Sequence, residues 1–399
     1  MSHRSSDRAS SMGYEVTFIR SQEDLRDVLP AWEEFLTSPV CGSNLLNDPT
    51  HIDLLLAAEP DHSPHIILVS TQGRIRCIAP FLIRQTRFRL QFSLWTLAAL
   101  PIRMLKLMGD QFVYSTEVDR QACFDAVFGA LRQERHAFDL MFVHTLDCSG
   151  SLWKYCSAFR TKQSEYRMIM ASPRMESVHQ IKLPETHAAY LASLNPKTRQ
   201  NLRRTTRKLA GSGETRMTKV TGPEQVPAFL QELDTVLANS WQAKTFGHQH
   251  RNTKPQLHYF EQLARCGWLR SYLLMHGDSA IAYELGFQYR NTYYGQDCGY
   301  DQHWKDWGPG SILMYMVIED LFHDDRPDLL DFGLGDAPYK RSFGNHEHPA
   351  ASFYIAPPNR WRRLVMVQQA LNLAFLSGRT ALVKTGLDNL VRRILKHKT

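Results

Sequence analysis

Titratable side chains crowd into one glycine-rich segment of the second half of the chain. Asp331-Phe332-Gly333-Leu334-Gly335-Asp336 is followed directly by Ala337-Pro338-Tyr339-Lys340-Arg341. The apolar residues before this segment predict a buried strand, and polar groups at the carboxyl ends of strands in α/β folds commonly face a ligand crevice. We therefore predict a functional loop here, with a surface loop held by turns and ion pairs as the alternative.

Glu284 is a further candidate for acid–base chemistry. It lies in the predicted strand Ala282–Tyr289, where bulky apolar side chains alternate with Glu284, Gly286 and Gln288. A carboxylate on the face opposite the apolar row can act as a general base, or it can be a simple exposed strand residue. The sequence alone leaves both interpretations open.

Glycines precede a strongly apolar helical pattern in Trp307-Gly308-Pro309-Gly310-Ser311. A glycine-containing junction at the start of a helix exposes backbone N–H groups at the positive end of the helix dipole, which suits a diphosphate. Gly308, Gly310 and Ser311 are therefore candidate phosphate ligands. The same motif is also common as a plain turn and helix cap.

Arginines recur at every fourth position of the predicted helix Pro196–Ala210. Arg199, Arg203 and Arg207 therefore share one face of that helix. This face is either solvated or a binding surface for an acceptor that carries phosphate or carboxylate, which the guanidinium group binds through two hydrogen bonds.

Several classes of protein lack their sequence signatures. We find no Walker A motif, no G-x-S-x-G elbow and no G-x-G-x-x-G motif, so NTPase, hydrolase and dinucleotide-binding functions have no support. The His-x-His pairs at 248/250 and 346/348 lack further ligands at a recognisable spacing, so we predict no metal site. Seven scattered cysteines indicate neither a disulfide framework nor a zinc ribbon and fit a reducing cytoplasm.

The net charge of +7 is concentrated at the C-terminal end. Residues 360–399 hold nine basic residues and one acid, so the rest of the chain is close to neutral. This distribution disfavours a DNA-binding body. A helical pattern over residues 361–397 predicts a basic amphipathic helix. This helix either packs on its own domain or lies peripherally on an anionic membrane surface. A polar N-terminus without a signal-peptide pattern, and apolar runs too short to span a bilayer, predict a cytoplasmic protein.

The elements that must position these residues alternate between helix and strand, which predicts the α/β class. The two halves also resemble each other: a strand–turn–strand pattern at 65–83 corresponds to one at 268–289, and a helix leading into an apolar strand at 118–146 corresponds to one at 310–333. We predict disorder over residues 1–13, a first domain over 14–175, a second domain over 176–358, and a basic helical tail over 359–399.

The ordered set of motifs resembles a known family. The residues that carry the resemblance are Leu194-Asn-Pro-Lys-Thr-Arg199-Gln-Asn-Leu-Arg203-Arg204, the meander Ala280–Cys298 ending in Gly299-Tyr300-Asp301, Gly308-Pro309-Gly310, and Asp331 to Lys340. Over residues 180–345 the chain looks like the acetyltransferases often labelled CelD-type, which are associated with bacterial cellulose and exopolysaccharide biosynthesis. That family belongs to the GNAT superfamily and is similar to the FemAB-type aminoacyltransferases of peptidoglycan synthesis.

The resemblance implies two tandem GNAT-like domains, each a mixed, mostly antiparallel sheet flanked by helices, with the first domain degenerate. It implies an acyltransferase that moves an acyl group from acetyl-CoA or another acyl-CoA to an amine or hydroxyl of a small-molecule or glycan acceptor. Residues implied to bind the diphosphate of coenzyme A are Gly308, Gly310 and Ser311. Residues implied in catalysis are Tyr339 at the leaving group, Lys340 at the oxyanion, and Glu284, Asp331 and Asp336 as proton acceptors. Residues predicted to bind the acceptor are Arg199, Arg203, Trp241 and Tyr300.

Two alternatives stay open beside this reading. The first is a FemAB-like aminoacyltransferase with aminoacyl-tRNA as the donor. Gly335 to Gly344 resembles a motif of that branch, in which a glycine is followed by an aromatic residue and a lysine, and then by phenylalanine and glycine. The second is a non-catalytic protein that binds a glycan or a synthase.

Overall fold

The computed structural model describes residues 13–93, 95–161, 165–241, 243 and 253–384, without the side chains of residues 379–384. The disorder predicted for the N-terminus, the His248/His250 pair and the last part of the predicted tail lie outside these residues, Gly13 excepted. The chain divides into two compact units. The first combines the residues up to 56 with 60–175 and those from 350 onward, and the second combines 57–59 with 176–349.

The first unit is built from eleven strands and five helices of the described residues. In chain order they are β1 (Glu15–Ile19), α1 (Gln22–Thr37), β2 (Val40–Cys41), α2 (Pro49–Ala58, whose last two residues belong to the second unit), β3 (His62–Pro64), β4 (Ile66–Thr71), β5 (Arg74–Ala79), β6 (Phe81–Phe92), β7 (Trp95–Leu107), β8 (Val113–Ser115), α3 (Arg120–Gln133), β9 (Leu140–Asp147), α4 (Ser151–Ser157), β10 (Arg167–Met170), β17 (His346–Ala356, which begins in the second unit) and α11 (Arg360–Lys384).

The strands of the first unit form two separate sets of hydrogen-bonded strands. One sheet is antiparallel throughout and has the order β1-β4-β5-β8-β2. The other strands pair in the order β3-β6-β7-β9-β17-β10, and only β7 and β9 run parallel. α3 begins at its cap Asp119, whose carboxylate accepts from the backbone amides of Gln121 and Ala122. Its apolar side chains then pack into a core rich in phenylalanine and tyrosine.

The second unit carries the segment with the predicted chemistry. In chain order its elements are β11 (Glu176–Lys182), α5 (His187–Ser193), α6 (Pro196–Ala210), β12 (Thr215–Val220), α7 (Val226–Ala238), α8 (Lys254–Arg265), β13 (Ser271–His276), β14 (Ser279–Tyr289), β15 (Thr292–Tyr300), α9 (Pro309–His323), β16 (Leu329–Leu334) and α10 (Pro338–Phe343). Its strands pair in the order β12-β13-β14-β15-β16-β11. Every neighbouring pair is antiparallel except β15 with β16.

The predicted fold class is confirmed: the chain is a mixed α/β protein with mostly antiparallel sheets flanked by helices. The predicted meander of the second half is β13, β14 and β15. The predicted correspondence of the halves has a structural counterpart, because each unit contains one parallel pair of strands and a helix that precedes the second strand. These are β7, α3 and β9 in the first unit, and β15, α9 and β16 in the second.

The second unit ends at residue 349, whereas the sequence predicted its end at residue 358. From Ala350 to Ile355, β17 pairs with β9, and Phe353 and Ile355 are fully buried in the core of the first unit. α11 packs through Trp361 and Val365 on the same unit. The reason is long-range strand pairing, which the local pattern of residues 346–356 does not reveal. No helix within the described residues is both long and apolar enough to cross a membrane.

Candidate active site

The parallel strands β15 and β16 separate soon after they begin. They are in register only from Thr292 to Tyr294 on β15 and from Leu329 to Asp331 on β16. Beyond that point β15 continues to Tyr300 along β14, while β16 continues along β11. The sheet therefore opens between the second half of β15 and the end of β16.

Three side chains meet at this opening. Glu284 on β14 lies directly opposite Cys298 on β15, so both point to the same face of the sheet. The Cys298 thiol donates a hydrogen bond to the Tyr339 hydroxyl, with 3.5 Å between Sγ and Oη. Tyr339 lies at the start of α10, directly after β16. The tyrosine therefore bridges the two strands where they separate.

Lys340 anchors the end of β16 and is 7% exposed. Its ammonium group donates to the carbonyl oxygens of Gly333 and Leu334, at 3.1 and 2.9 Å. Two of its three donors are thus used within the loop that the sequence singled out. Lys340 also supplies the positive charge that acts on Glu284 and Cys298.

Burial controls the protonation of this cluster. Burial, reinforced by Asp297, raises the pKa of Glu284 well above its usual range, although the positive charge of Lys340 acts in the other direction. Burial and then Glu284 raise the pKa of Cys298 to about 12. Burial also raises the pKa of Tyr339 and lowers that of Lys340. At neutral pH the tyrosine is a neutral phenol and the cysteine a neutral thiol, which makes Cys298 a poor nucleophile.

Glycines on β15 make room for the side chains of β14. A Cβ atom at Gly295 would lie 2.8 Å from Oε1 of Glu284, and one at Gly299 would lie 2.6 Å from the ring of Tyr283. The Tyr283 hydroxyl donates to the Asp297 carboxylate at 3.0 Å. The Gly-x-x-x-Gly spacing of β15 therefore serves close packing beside Glu284.

Two of the predicted catalytic acids have other partners. Asp331 accepts from the Gln180 side chain at 2.9 Å and from the Gly333 amide at 2.6 Å, so it fixes the backbone near the end of β16. Gly333 has a φ of +68°, which favours glycine at that position. Asp336 is exposed and pairs with Arg341, and it lies 3.2 Å from Nε2 of His179. Glu284, Tyr339 and Lys340 are thus brought together, whereas Asp331 and Asp336 hold the surrounding loop.

The start of α9 offers a limited set of donors for a diphosphate. Gly308, with a φ of +67°, accepts from the amides of Ser311 and Ile312. Pro309 has no N–H, so the Gly310 amide and the Ser311 hydroxyl are the remaining local donors. Lys208 adds a positive charge, since its ammonium group lies 3.3 Å from the carbonyl oxygen of Asp306. These groups fit an anion at the positive end of a fifteen-residue helix.

The end of β15 lies against this helix start. A Cβ at Gly310 would come within 3.2 Å of the Tyr300 ring. Tyr300 is partly buried and packs against the apolar core of the second unit. A predicted acceptor-binding residue and a predicted phosphate ligand therefore adjoin each other, next to the opening between β15 and β16.

The other predicted acceptor-binding residues lie elsewhere in the second unit. Arg199 donates to the carbonyl oxygens of Leu191, Ala192 and Leu194, at 2.8 to 3.1 Å, and so caps the C-terminal end of α5. Arg203 is exposed on α6. The Trp241 side chain is 45% exposed.

In the second unit, one group of side chains outside the predicted motifs has metal-ligand chemistry. Among the described residues of the second unit, His187, Glu319 and His323 each place one ligand atom within 4.8 Å of the others. The rings of His346 and His348 are 6.2 Å apart.

Sequence comparison finds one family match within the second unit. Residues 196–341 match the family model described as Acetyltransferase (GNAT) domain. This range contains Glu284, the start of α9 and the segment from Asp331 to Lys340. A search of curated proteins finds no significant match.

Solved structures share the fold at low sequence identity. The crystal structure of FemX superposes with a TM-score of 0.56 at 12% identity, covering 89% of this chain and 100% of that chain. The C-terminal domain (DUF2156) of a "Putative Lysylphosphatidylglycerol Synthetase" from Agrobacterium fabrum superposes with a TM-score of 0.51 at 11% identity, covering 87% and 96%. Residues 196–341 thus match a GNAT acetyltransferase domain, and the chain as a whole shares its fold with these solved structures.

Proposed function

We propose that this protein is an acyltransferase that transfers an acetyl group from acetyl-CoA to an amine or hydroxyl of a sugar, sugar-lipid or amine precursor of a bacterial polysaccharide or cell envelope. The observation that carries the proposal is the opening between β15 and β16, with Glu284, Cys298 and Tyr339 beside it. The GNAT family match supports acyl transfer. The motif resemblance to CelD-type proteins supports the class of acceptor.

The residues present suit an acyl-CoA donor at two places. The Gly310 amide and Ser311 hydroxyl at the start of α9, with Lys208 nearby, would hold the diphosphate. The edge of β15 beyond Tyr294 is no longer paired with β16, so its backbone groups can bind the amide-bearing arm of the donor as an added strand would bind. The thioester would then lie near Tyr339.

The chemistry follows from the protonation states of the cluster. The acceptor nitrogen or oxygen forms a bond to the thioester carbon, the carbon–sulfur bond breaks, and the acceptor proton passes to Glu284 through one water molecule. A carboxylate whose pKa is raised by burial is a stronger base than an exposed carboxylate, which makes it a suitable proton acceptor. Tyr339 stays neutral and donates a hydrogen bond to the departing sulfur, which takes up its own proton from solvent.

Donor binding is tested by the thermal stability of the full chain with and without acetyl-CoA. We expect acetyl-CoA to raise the Tm, and Gly310→Glu to abolish the shift, because a carboxylate at the helix start repels the diphosphate and its side chain meets the Tyr300 ring. The matched control is Gly129→Glu on α3, where a Cβ has no atom within 4 Å. Absence of a shift with any acyl-CoA would contradict the donor assignment.

Tyr339→Phe separates binding from chemistry in the same assay. We expect the Tm shift to persist while turnover falls by about 10²-fold, because one transition-state hydrogen bond is lost. Normal turnover in this variant would remove Tyr339 from the reaction. Donor binding without turnover on any amine or sugar acceptor would favour a non-catalytic binding protein.

The charge of α6 supports aminoacyl-tRNA as an alternative donor. Arg203, Arg204, Arg207 and Lys208 are all exposed on this helix, and residues 195–208 contain no acid. Such a surface suits the polyanionic aminoacyl-tRNA of the FemAB-like alternative. A mobility-shift titration with charged tRNA distinguishes the two donors, since Arg203→Gln with Arg207→Gln should weaken tRNA binding and leave the Tm shift with acetyl-CoA unchanged.

A further inference from the structure

Two neighbouring elements of the first unit expose large apolar side chains. On the hairpin of β6 and β7 they are Phe92 (43% exposed), Trp95 (76%), Leu97 (56%) and Leu100 (38%). On α11 they are Met366, Val367 and Leu373, each 40–50% exposed. We call these seven side chains the apolar patch. Scattered single apolar residues are normal on a surface, but a group of this kind on adjoining elements marks an interaction site.

The hairpin and the helix are packed together, so their exposed side chains lie on adjoining elements. The rings of Phe88 and Trp361 lie 6.0 Å apart near the start of α11, and those of Phe92 and Phe375 lie 6.0 Å apart further along. Between them, the Gln368 side chain accepts from the Gln91 amide at 2.6 Å and donates to the Gln91 carbonyl at 3.0 Å.

The outward face of α11 carries apolar residues, whereas the outward face of an ordinary surface helix carries polar and charged ones. Its exposed positions up to residue 378 recur every three to four residues, and they are Arg360, Arg363, Met366, Val367, Ala370, Leu373, Ala374, Ser377 and Gly378. A surface helix usually turns its apolar side inward and its charged side toward water. Exposure of the apolar residues on the outward face to water is unfavourable unless another apolar phase covers them.

The charge around the apolar patch has one sign. Residues 81–107 and 360–384 contain ten lysines and arginines and no acid. Arg84 pairs with Asp61 and Arg103 pairs with Asp139. Arg87, Arg89 and Arg363 are exposed and have no carboxylate partner among the described residues. Two copies of such a surface repel each other, whereas an anionic surface attracts it.

We propose that the apolar patch binds the surface of an anionic lipid bilayer. Trp95 and Phe92, at the end of the hairpin, enter the headgroup region, and the exposed arginines bind lipid phosphates. Aromatic side chains and arginine are suited to this interface because one part is apolar and the other polar or charged. The attachment is peripheral and does not depend on acyl transfer.

Sedimentation of the full chain with vesicles tests the proposal. We expect binding to phosphatidylcholine vesicles that contain a quarter phosphatidylglycerol, much weaker binding to phosphatidylcholine alone, and weaker binding at 0.5 M than at 0.1 M salt. The double variant Trp95→Ser/Leu97→Ser should weaken binding about tenfold or more. Arg87→Gln/Arg89→Gln should weaken it on anionic vesicles only. The matched control, Met175→Ser, removes an apolar side chain that is 52% exposed on the same unit but outside the apolar patch.

Unchanged thermal stability confirms that each variant is folded, and the basic residues 385–399 are intact in all of them. Equal binding of wild type and the Trp95/Leu97 variant would overturn the proposal, because the attachment would then lie elsewhere. So would failure of the wild type to bind anionic vesicles. A dimer in analytical ultracentrifugation that the same variant dissociates would make the patch a self-association face instead.

Discussion

At the scale of single residues, the candidate site depends on a carboxyl group that folding makes harder to ionise. Glu284 is 3% exposed, and its neighbours include the Asp297 carboxylate on β15. Lys340 partly compensates, but burial also lowers the pKa of that lysine. Each group is therefore harder to ionise in the folded protein than in water. This balance places a carboxyl group of raised pKa beside a neutral phenol.

The pH dependence of stability reports on Glu284 directly. Because its pKa is higher in the folded state than the unfolded value near 4.5, the folded protein binds more protons above that pH. The contribution of Glu284 to the free energy of unfolding is therefore largest at low pH and falls as pH rises from 4.5 through the folded pKa, by at most about 1.4 kcal/mol per pH unit. Glu284→Gln should lose this decline.

Urea denaturation between pH 5 and 8 measures the effect. The variant should gain stability relative to wild type as pH rises, and Glu214→Gln, at a carboxylate that is 78% exposed, should follow the wild-type profile. Parallel profiles of wild type and Glu284→Gln would contradict the raised pKa.

Sequence patterns located Glu284, Tyr339 and Lys340 but not Cys298 or Asp297. Counting back from the turn at Arg290-Asn291 places Glu284 opposite Asp297. The structure has an irregularity between Leu285 and Gly286, where Gln296 is the extra residue, and this brings Cys298 opposite Glu284 instead. A bulge of one residue changes which side chains share a face, and the alternation of apolar residues does not report it.

At the scale of elements, α9 is held at both ends by different means. Its start adjoins the end of β15 through Gly310 and Tyr300. At its other end, the buried Arg270 of the segment before β13 donates to the carbonyl oxygens of Asp320 and Asp324, at 3.2 and 2.7 Å, and to the Asp320 carboxylate at 2.8 Å. A cation at this end also interacts favourably with the helix dipole.

Replacing Arg270 should destabilise the fold strongly. Arg270→Met leaves the half-buried carboxylate of Asp320 and several carbonyl groups without their main donor, so we expect a loss of about 3–5 kcal/mol in the free energy of unfolding. Lys219→Met, which removes an ion pair from the same Asp320 at 2.8 Å but from a more exposed position, should cost about 1 kcal/mol or less. Equal losses in urea denaturation would show that Arg270 is not the principal support of this helix end.

Element types and boundaries follow the local pattern closely where caps and turns are strong. Asn195 and Pro196 open α6 as expected, and the turn at Gly277-Asp278 joins β13 to β14. Arg199 shows the limit of this approach. Its spacing along α6 indicates a shared basic face, but the structure uses it to cap the neighbouring helix α5. Which helix end lies beside an arginine is a property of tertiary packing and not of spacing.

At the scale of the whole molecule, the repeated pattern of the two halves indicated two similar units, and each unit does contain a parallel strand pair with a helix before the second strand. The repeated pattern does not reveal which of the two units contains the last strand, β17. The alternation of β17 fits any sheet with one buried face, and its partner β9 lies about two hundred residues earlier in the chain. Such a pairing is selected by packing of the complete unit.

The position of β17 leads to a prediction about which part of the molecule it stabilises. Phe353 is fully buried and its ring lies 5.7 Å from that of Trp153 in the core of the first unit. Phe353→Ala should therefore lower the free energy of unfolding by about 3–5 kcal/mol through lost burial and a cavity. Hydrogen exchange should accelerate in β9 and β10, the strands that β17 joins, and much less in β13 and β14. Leu46→Ala, at a side chain that is 45% exposed on the same unit, should change exchange little. Acceleration centred on β13 and β14 would assign β17 to the second unit instead, as the predicted domain boundary did.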